Sequence, residues 1–527
     1  MEAEPVLIGG AWRKALAPKG SFAAINPATG ERLKSRYPVS SFGDIDAALQ
    51  ASRRAASELR SVPPVNIAAF LYAYADRIEK RGDALVKTAS LETALPEEPR
   101  LRSVELPRTT DQLRQAAAAC RDRSWCRATI DAKNNIRSKH GPLGGAVVIF
   151  GPGNFPFAFN PAAGGDFAAA VASGNPVIAK AHPGHPGTTK IFAEAALEIL
   201  KESNLPRGMV QLLYHFEPED GLTLAAHPLT GATAFTGSRP SGLRLKKAAD
   251  KAGKPVYLEM SSLNPVILLP GSLEERSDEI AQELFTSCTM GSGQFCTKPG
   301  LVILKQGLRS EAFFHRLLTL FRQAPAGILL GQNTLNRLRE AIAGMARLGA
   351  EIVTGNTVPD LPGYRLDNTL LRISGERFLE HPRELQIEAF GSVSLVVFAE
   401  DDDRMMKILE VLDGDLTGAI YSDSRDKDEG LYKRIEPVLR LNVGRLLNDK
   451  MPTGVAISPA MSHGGPFPAT GHPGFTSVGI PASLLRFSAL HCYDNVRARR
   501  LPEEIRDKNP TGRMWRFIDG EWTRRDL

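Results

Sequence analysis

Cysteine is scarce in this sequence. The five residues Cys120, Cys126, Cys288, Cys296 and Cys492 are spread through 527 positions. They are odd in number and contain no Cys-x-x-Cys pair, which argues against a disulfide framework and a zinc site, so no metal is expected. No stretch approaches the ~18 uninterrupted apolar residues of a membrane span. The opening Met-Glu-Ala-Glu-Pro lacks the positive and apolar regions of a secretory signal, so no membrane association is expected and the expected location is cytoplasmic. Aromatic residues make up 7%, and no long basic block with interleaved aromatics accompanies the net charge of +6, so nucleic acid is not an expected partner. Short basic runs such as Arg497-Ala498-Arg499-Arg500 are read as solvated faces.

What is present is the composition of a folded protein, with 43% hydrophobic and 24% charged residues. The length exceeds what one core usually organises and predicts two or three domains. Around Leu7 to Trp12 and Phe22 to Asn26, apolar residues broken by Gly and Pro read as strand and turn. Ile45, Leu49, Ser52, Ala56 and Leu59 then repeat at helical spacing. From Gly145 to Leu269 short apolar runs (Ala146 to Phe150, Val177 to Ala179, Val210 to Leu213, Ala232 to Phe235, Val256 to Leu258, Val266 to Leu269) alternate with helical stretches such as Thr188 to Glu202 and Ser238 to Gly253. That alternation is the signature of a parallel α/β sheet, which binds ligands at the carboxyl ends of its strands. A second set of elements follows Pro270, with helices near Glu274 to Cys288, Ala312 to Arg322 and Leu335 to Leu348, and strands at Leu301 to Leu304, Val393 to Phe398 and Ala419 to Tyr421. Ile8-Gly9-Gly10-Ala11-Trp12 is echoed by Ile518-Asp519-Gly520-Glu521-Trp522, both read as hairpins with a Trp to bury.

Four places carry chemistry, each with an ordinary explanation beside it. Cys296 follows Gly291-Ser292-Gly293-Gln294-Phe295, a glycine-rich turn that can expose a thiol and let backbone amides approach a substrate oxygen; a lone cysteine is otherwise a small buried hydrophobe. Glu259 ends an apolar strand, where burial is expected to raise its pKa into the range of a general base; at a sheet edge it would simply face solvent. Asn154, in Phe150-Gly151-Pro152-Gly153-Asn154-Phe155-Pro156, offers a strand-end amide for an oxyanion or serves as a turn Asn. Phe235-Thr236-Gly237-Ser238, with Gly242 a turn later, makes a strand-loop-helix anion site that is neither a G-x-G-x-x-G fingerprint nor a P-loop.

In order and spacing these segments resemble the aldehyde dehydrogenase superfamily, over roughly residues 5 to 490. Phe150 to Pro156 looks like the loop of the oxyanion Asn, with Gly153 where the family usually has Trp. Val177-Ile178-Ala179-Lys180 is similar to the strand whose Lys binds the adenosine ribose, and Phe235 to Gly242 resembles the pyrophosphate site. Leu258 to Pro265 resembles the general-base motif, Gly293-Gln294-Phe295-Cys296 the nucleophile motif, and Glu388-Ala389-Phe390-Gly391 the segment whose Glu holds the nicotinamide ribose, with Ser392 where Pro is common. Lys180 to Thr188, including His182 and Pro183, and Met461 to Pro466, including His463, look like the NADP-preferring branch that holds 2,5-dioxovalerate (α-ketoglutaric semialdehyde) dehydrogenases and a long-chain aldehyde dehydrogenase.

The resemblance implies an α/β fold: a Rossmann-type cofactor domain with the N-terminal region (1–269), a catalytic domain (270–462), and a C-terminal return and oligomerisation segment (463–527), with residues 130–143 as oligomerisation strands of a small β element. It implies Cys296 as nucleophile, Glu259 as general base and Asn154 as oxyanion donor, with cofactor contacts from Lys180, His182, Pro183, Gly237, Ser238, Gly242, Glu388 and Phe390. His463 assists near the site, or is an ordinary loop donor. NADP is favoured because Pro183 stands where NAD-preferring relatives commonly place Glu, although the acidic run Phe216 to Asp220 speaks the other way and NAD stays open. Arg108 and Arg114, in a segment resembling the substrate entrance, are candidates for holding a substrate carboxylate, with plain surface arginines as the alternative. The implied partners are a small aldehyde and further copies of the chain in a homodimer or homotetramer, the segment around Ile130 to His140 pairing with that near Leu485 to Tyr493. Long-chain aldehyde oxidation, a cysteine hydrolase using Cys296 and His463, CoA acylation, and a silent binding protein on the same fold are the competing readings.

Overall fold

The computed structural model describes residues 2–527. Two seven-stranded sheets, a five-stranded sheet and a two-stranded ribbon make up its β structure. In the first large sheet Val256–Glu259, Thr230–Thr236, Ala146–Phe150, Val177–Lys180 and Val210–Leu213 lie side by side in parallel, and the hairpin Val6–Ile8 and Ala11–Arg13 extends the edge. The interiors of Ala146–Phe150, Val177–Lys180 and Val210–Leu213 are buried on both faces and apolar but for Gln211, as a parallel sheet covered by helices requires. Helices such as Phe42–Leu59, Pro186–Glu202 and Arg239–Lys251 supply that cover or flank it.

Chain order within this sheet sets the position of the site. Ala146–Phe150 sits centrally; the chain runs outward through Val177–Lys180 and Val210–Leu213, then returns to build Thr230–Thr236 and Val256–Glu259 on the other side. The reversal makes a crevice at the carboxyl ends of the strands, where such sheets bind ligands. Register brings Phe150 beside both Lys180 and Phe235, and Thr236 beside Glu259. The loops singled out in the sequence therefore leave one edge of one sheet.

The second large sheet contains Leu301–Lys305, Thr369–Ser374, Val393–Ala399, Asp415–Tyr421 and Val443–Asn448, again in parallel, with Glu351–Thr354 antiparallel at one edge. It also takes Val266–Leu268, between Leu301–Lys305 and Asp415–Tyr421. That corrects the reading of Val266 to Leu269 as part of the first pattern: sheet membership changes between Glu259 and Val266. A strand buried on both faces shows the same apolar run in either sheet, so the run itself carries no mark of its partners. The helices Pro270–Thr289, Leu308–Gln323 and Gln332–Arg347 pack on this sheet through Ile280, Leu284, Phe313, Phe314, Leu338 and Ile342.

The third sheet joins Ile136–Pro142 to Ser488–Asp494 in antiparallel register, Leu490 opposite His140, within one chain. Both echoed hairpins form, Val6–Ile8 with Ala11–Arg13 and Arg516–Ile518 with Glu521–Thr523. Trp12 packs against the main core. Trp522 does not bury as expected: it is 56% exposed with its ring against Phe517, because its hairpin forms the outer edge of the small sheet.

Candidate active site

The cysteine turn is built on backbone that few side chains tolerate. Gly291, Ser292 and Gly293 all have positive φ, and a Cβ on Gly293 would lie 2.2 Å from the Gly391 carbonyl. Only glycine lets the turn press so closely on the Glu388 loop. Asn264, itself left-handed at φ 54°, donates from its side-chain amide to the carbonyls of Cys296 (2.9 Å) and Lys298 (3.0 Å). Its own segment is fixed by Asp415, whose Oδ1 accepts from Leu263 N (2.6 Å), Asn264 N (3.3 Å) and Ser262 Oγ (2.9 Å). The turn thus stands on a buried polar lattice, and Asn264 and Asp415 were not singled out from the sequence.

Three reactive groups converge there. Cys296 Sγ lies 3.5 Å from His463 Nε2, and the same nitrogen lies 2.8 Å from Glu259 Oε1. Ser477 Oγ donates to Glu259 Oε2 at 3.0 Å and lies 3.1 Å from the His463 carbonyl, while His463 N donates to Thr476 Oγ1 at 2.8 Å. Burial, and then the charge of Glu259, push the Cys296 thiol well above its usual range. For Glu259 burial pushes the carboxyl up, but His463, Ser477 and the thiol outweigh it and hold the pKa below the usual carboxylate value. This reverses the expected rise. Burial was inferable from an apolar strand; the compensating partner, 204 residues further on, was not. The resting pair is therefore a protonated thiol beside an ionised carboxylate.

Asn154, on the loop after Ala146–Phe150, donates its amide to Gln294 O at 2.9 Å, two residues before Cys296, which leaves its second N–H uncommitted. The Cys296 backbone N–H donates to no protein acceptor among the described residues. Arg100, absent from the sequence candidates, fixes the Asn154 loop: it donates to Asn154 O (2.8 Å) and Glu105 (2.9 Å) and lies over the rings of Phe155 and Phe295. Arg108 lies over Phe155 and Phe159, with Nε and one Nη buried and without a partner. Burial lowers its pKa, and the charges of Glu105 and Cys296 pull the other way. The structure separates the two arginines: Arg114 is spent in ion pairs with Asp76 and Glu79 on the neighbouring helix Pro64–Lys80, away from the thiol. Both sit on Leu106–Asp122, but six residues apart they leave that helix in different directions.

On the other side of the crevice Lys180 ends its strand half-buried, pairs with no carboxylate among the described residues, and is pushed down to about 8 by burial. His182 stacks on His185 and fills the space beside Gly153, where a Cβ would come 2.7 Å from its ring. That accounts for glycine at 153: the imidazole occupies the room a large side chain would need. Pro183 lies half-buried on the same loop. Ser238 precedes the helix Arg239–Lys251, while Gly237 and Gly242 are held bare against the Phe235 ring and Met260 Sδ. The acidic run is partly neutralised, with Asp220 on Lys19 at 2.7 Å and Glu219 on Arg244 at 3.0 Å. Glu388, its carboxyl raised by burial, accepts from Ser262 N at 3.5 Å, and Phe390 is half-buried beside it. Lys298, also missed, bonds the carbonyls of Ala389 (3.1 Å) and Val393 (2.6 Å) and ties this loop to the cysteine turn.

Comparison with known proteins gives a consistent result. The model of the family described as "Aldehyde dehydrogenase family" matches residues 12–453. An α-ketoglutaric semialdehyde dehydrogenase 2 of Azospirillum brasilense is 38% identical over 95% of this chain and 96% of its own. An α-ketoglutaric semialdehyde dehydrogenase of Acinetobacter baylyi is 36% identical over 91% of each. Among solved structures, a mutant aldehyde dehydrogenase C of Pseudomonas syringae in complex with NAD+ and octanal superposes with a TM-score of 0.79 at 20% identity, covering 93% of this chain and 96% of that one. A mutant 1-pyrroline-5-carboxylate dehydrogenase of Thermus thermophilus superposes with a TM-score of 0.80 at 23% identity, over 93% and 92%.

Proposed function

The chain belongs to the aldehyde dehydrogenase family, and from that premise we propose that it oxidises 2,5-dioxovalerate (α-ketoglutaric semialdehyde) to 2-oxoglutarate through Cys296. The observation that carries the reading is the contact of Cys296 Sγ with the His463–Glu259 pair at 3.5 and 2.8 Å. The substrate rests on the two semialdehyde dehydrogenases at 38% and 36% identity and on Arg108, a partnerless guanidinium beside the site, which suits a carboxylate by paired hydrogen bonds.

The thiol proton passes through the pair of His463 and Glu259 to solvent, which leaves Glu259 ionised again, and the thiolate attacks the aldehyde carbon. The free N–H of Asn154 and the Cys296 amide take the oxyanion. When bound, a nicotinamide supplies the hydride acceptor that turns the hemithioacetal on Cys296 into a thioester. Glu259 then removes a proton from water, the hydroxide attacks the thioester carbonyl, and the acid leaves as Cys296 returns to thiolate. His463 holds the Glu259 carboxylate in place and shares the proton.

The cofactor is NAD or NADP, a class that fits a half-buried lysine without a carboxylate partner and a bare helix N-terminus. Lys180, His182, Pro183, Gly237, Ser238, Gly242, Glu388 and Phe390 would hold it. NADP is preferred on the absence of an acid at Pro183 and the pairing of Asp220 and Glu219 with cations. The chain up to a boundary between Glu259 and Val266 carries the cofactor, the chain from there to 462 the nucleophile, and 463–527 the return. No helix among the described residues is long and apolar enough to cross a membrane; a cytoplasmic homodimer or homotetramer completes the reading.

Absorbance at 340 nm tests it. With α-ketoglutaric semialdehyde and NADP or NAD the chain should reduce the nucleotide, and Cys296→Ala should abolish this. Arg108→Ala should raise KM for the acid aldehyde by at least about tenfold, the loss of one charge-assisted pair, with far less effect on an aliphatic aldehyde. Equal effects on both would remove Arg108 from substrate recognition, and absence of reduction with every pair would favour a silent binding protein.

A further inference from the structure

We infer that Cys296, His463 and Glu259 together form a binding site for a divalent cation of the zinc class, and that a bound ion takes the thiol out of reaction. Sγ, an imidazole nitrogen and a carboxylate oxygen lie within 4.8 Å of one another. One soft, one borderline and one hard donor is a set that zinc accepts. Tetrahedral zinc, with bonds of ~2.3 Å to sulfur and ~2.0–2.1 Å to nitrogen, places those two ligands about 3.6 Å apart. Sγ and Nε2 stand 3.5 Å apart already. Nitrogen and carboxylate oxygen would need about 3.4 Å against the present 2.8 Å, an opening that follows once the proton between them shifts from Nε2 to Nδ1.

The surroundings favour the ion as well. Ser477 holds Oε2 of Glu259, so that Oε1, which now faces His463 Nε2, is the oxygen that turns to the metal, and the Asn264 amide fixes the Cys296 carbonyl, so the ligands are oriented from behind. Three protein ligands leave the fourth position for water or a substrate oxygen, as in open rather than closed zinc sites. A thiolate and a carboxylate balance the charge of the ion; Arg108, the cation beside them, opposes binding and limits affinity. On binding, the S–H bond of Cys296 breaks, its proton goes to solvent, and an S–metal bond forms. Neutral His463 coordinates through Nε2 with its own proton on Nδ1, and no electron is transferred. Sequence spacing could not show this site, because its members are 37 and 167 residues apart and none belongs to a Cys-x-x-Cys pair.

The site rests on the three side chains alone, so it can be tested whether or not the chain turns over an aldehyde. Co2+ titrated into the purified protein should bind one equivalent and develop the near-ultraviolet charge-transfer band of a cobalt thiolate. Cys296→Ser should lose the band, His463→Asn should weaken binding more than about tenfold, and Cys492→Ser, which changes an exposed cysteine, should leave both unchanged. In the unaltered chain Zn2+ should protect Cys296 from iodoacetamide, read by peptide mass, and a chelator should restore alkylation. A cobalt band that survives Cys296→Ser, or alkylation of Cys296 undiminished by Zn2+, overturns the proposal. The second readout needs no variant to fold. A cobalt band without nucleotide reduction would keep the site and reject the reaction.

Discussion

At the scale of the residue, protonation is set by whichever neighbour wins against burial. The Cys296 thiol is raised by burial and by Glu259, so alkylation of Cys296 in the ligand-free protein should climb roughly tenfold per pH unit through neutral and mildly alkaline pH, following the thiolate fraction. A rate flat above pH 7 would mean a thiolate already formed. Glu92 presents the opposite balance: buried, it is pushed up to about 7 although it accepts from Gly187 N, Thr188 N and Thr188 Oγ1. The folded chain keeps this proton to about pH 7, whereas the unfolded chain releases it near ~4.3. Between those values the folded state binds more protons, so this carboxyl makes stability fall as pH rises through the window. Urea unfolding at pH 5 and pH 7.5 should show a smaller loss in Glu92→Gln than in the parent; an equal loss would place the dependence elsewhere, with Asp415, raised to about 6, the next candidate.

At the scale of the element, the cysteine turn and the Glu388 loop touch through Gly293, where any Cβ meets the Gly391 carbonyl at 2.2 Å. Gly293→Ala should leave overall ellipticity near that of the parent while cutting nucleotide reduction more than about tenfold, because displacing the turn misplaces the nucleophile; full activity would show that the turn adapts. Strands and helices were legible where periodicity was strong: Ala146–Phe150, Val177–Lys180 and Val210–Leu213 stand where apolar runs placed them. The sheet to which a run belongs was not, as Val266–Leu268 shows, since pairing partners lie far along the chain. Within the site, Cys296, Glu259 and Asn154 were visible through their loops and motifs. Ser477, which orients Glu259, sits in a Gly- and Pro-rich stretch with no local signal, and Arg100 and Lys298 read as ordinary charged residues until their carbonyl partners are known. The raised pKa expected for Glu259 failed for the same reason.

At the scale of the whole molecule, the site lies where two sheets meet. Glu259 and the Asn154 loop come from the carboxyl edge of the first, Cys296 precedes the strand Leu301–Lys305 of the second, and His463 arrives on the segment returning towards the small sheet. The C-terminal tail folds back on that small sheet: buried Arg516 donates to the carbonyls of Arg506 (2.5 Å), Asp507 (3.1 Å) and Arg525 (2.6 Å). Arg516→Ala should loosen this tail, read as faster amide exchange in residues 505–527 with little change in the strands Ala146–Phe150 and Val177–Lys180; uniform change across the chain would contradict a local role. On the proposed reading the assembly brings a thiol, a base and an oxyanion donor to one carbonyl, and the chemical intermediate is the sharpest test of that claim. Glu259→Gln protein mixed with NADP and α-ketoglutaric semialdehyde, quenched in acid and digested, should carry a 2-oxoglutaryl group on the peptide containing Cys296, because the thioester forms and water activation fails. Nucleotide reduction without any acyl group on Cys296, or an acyl group on another cysteine, would contradict the account.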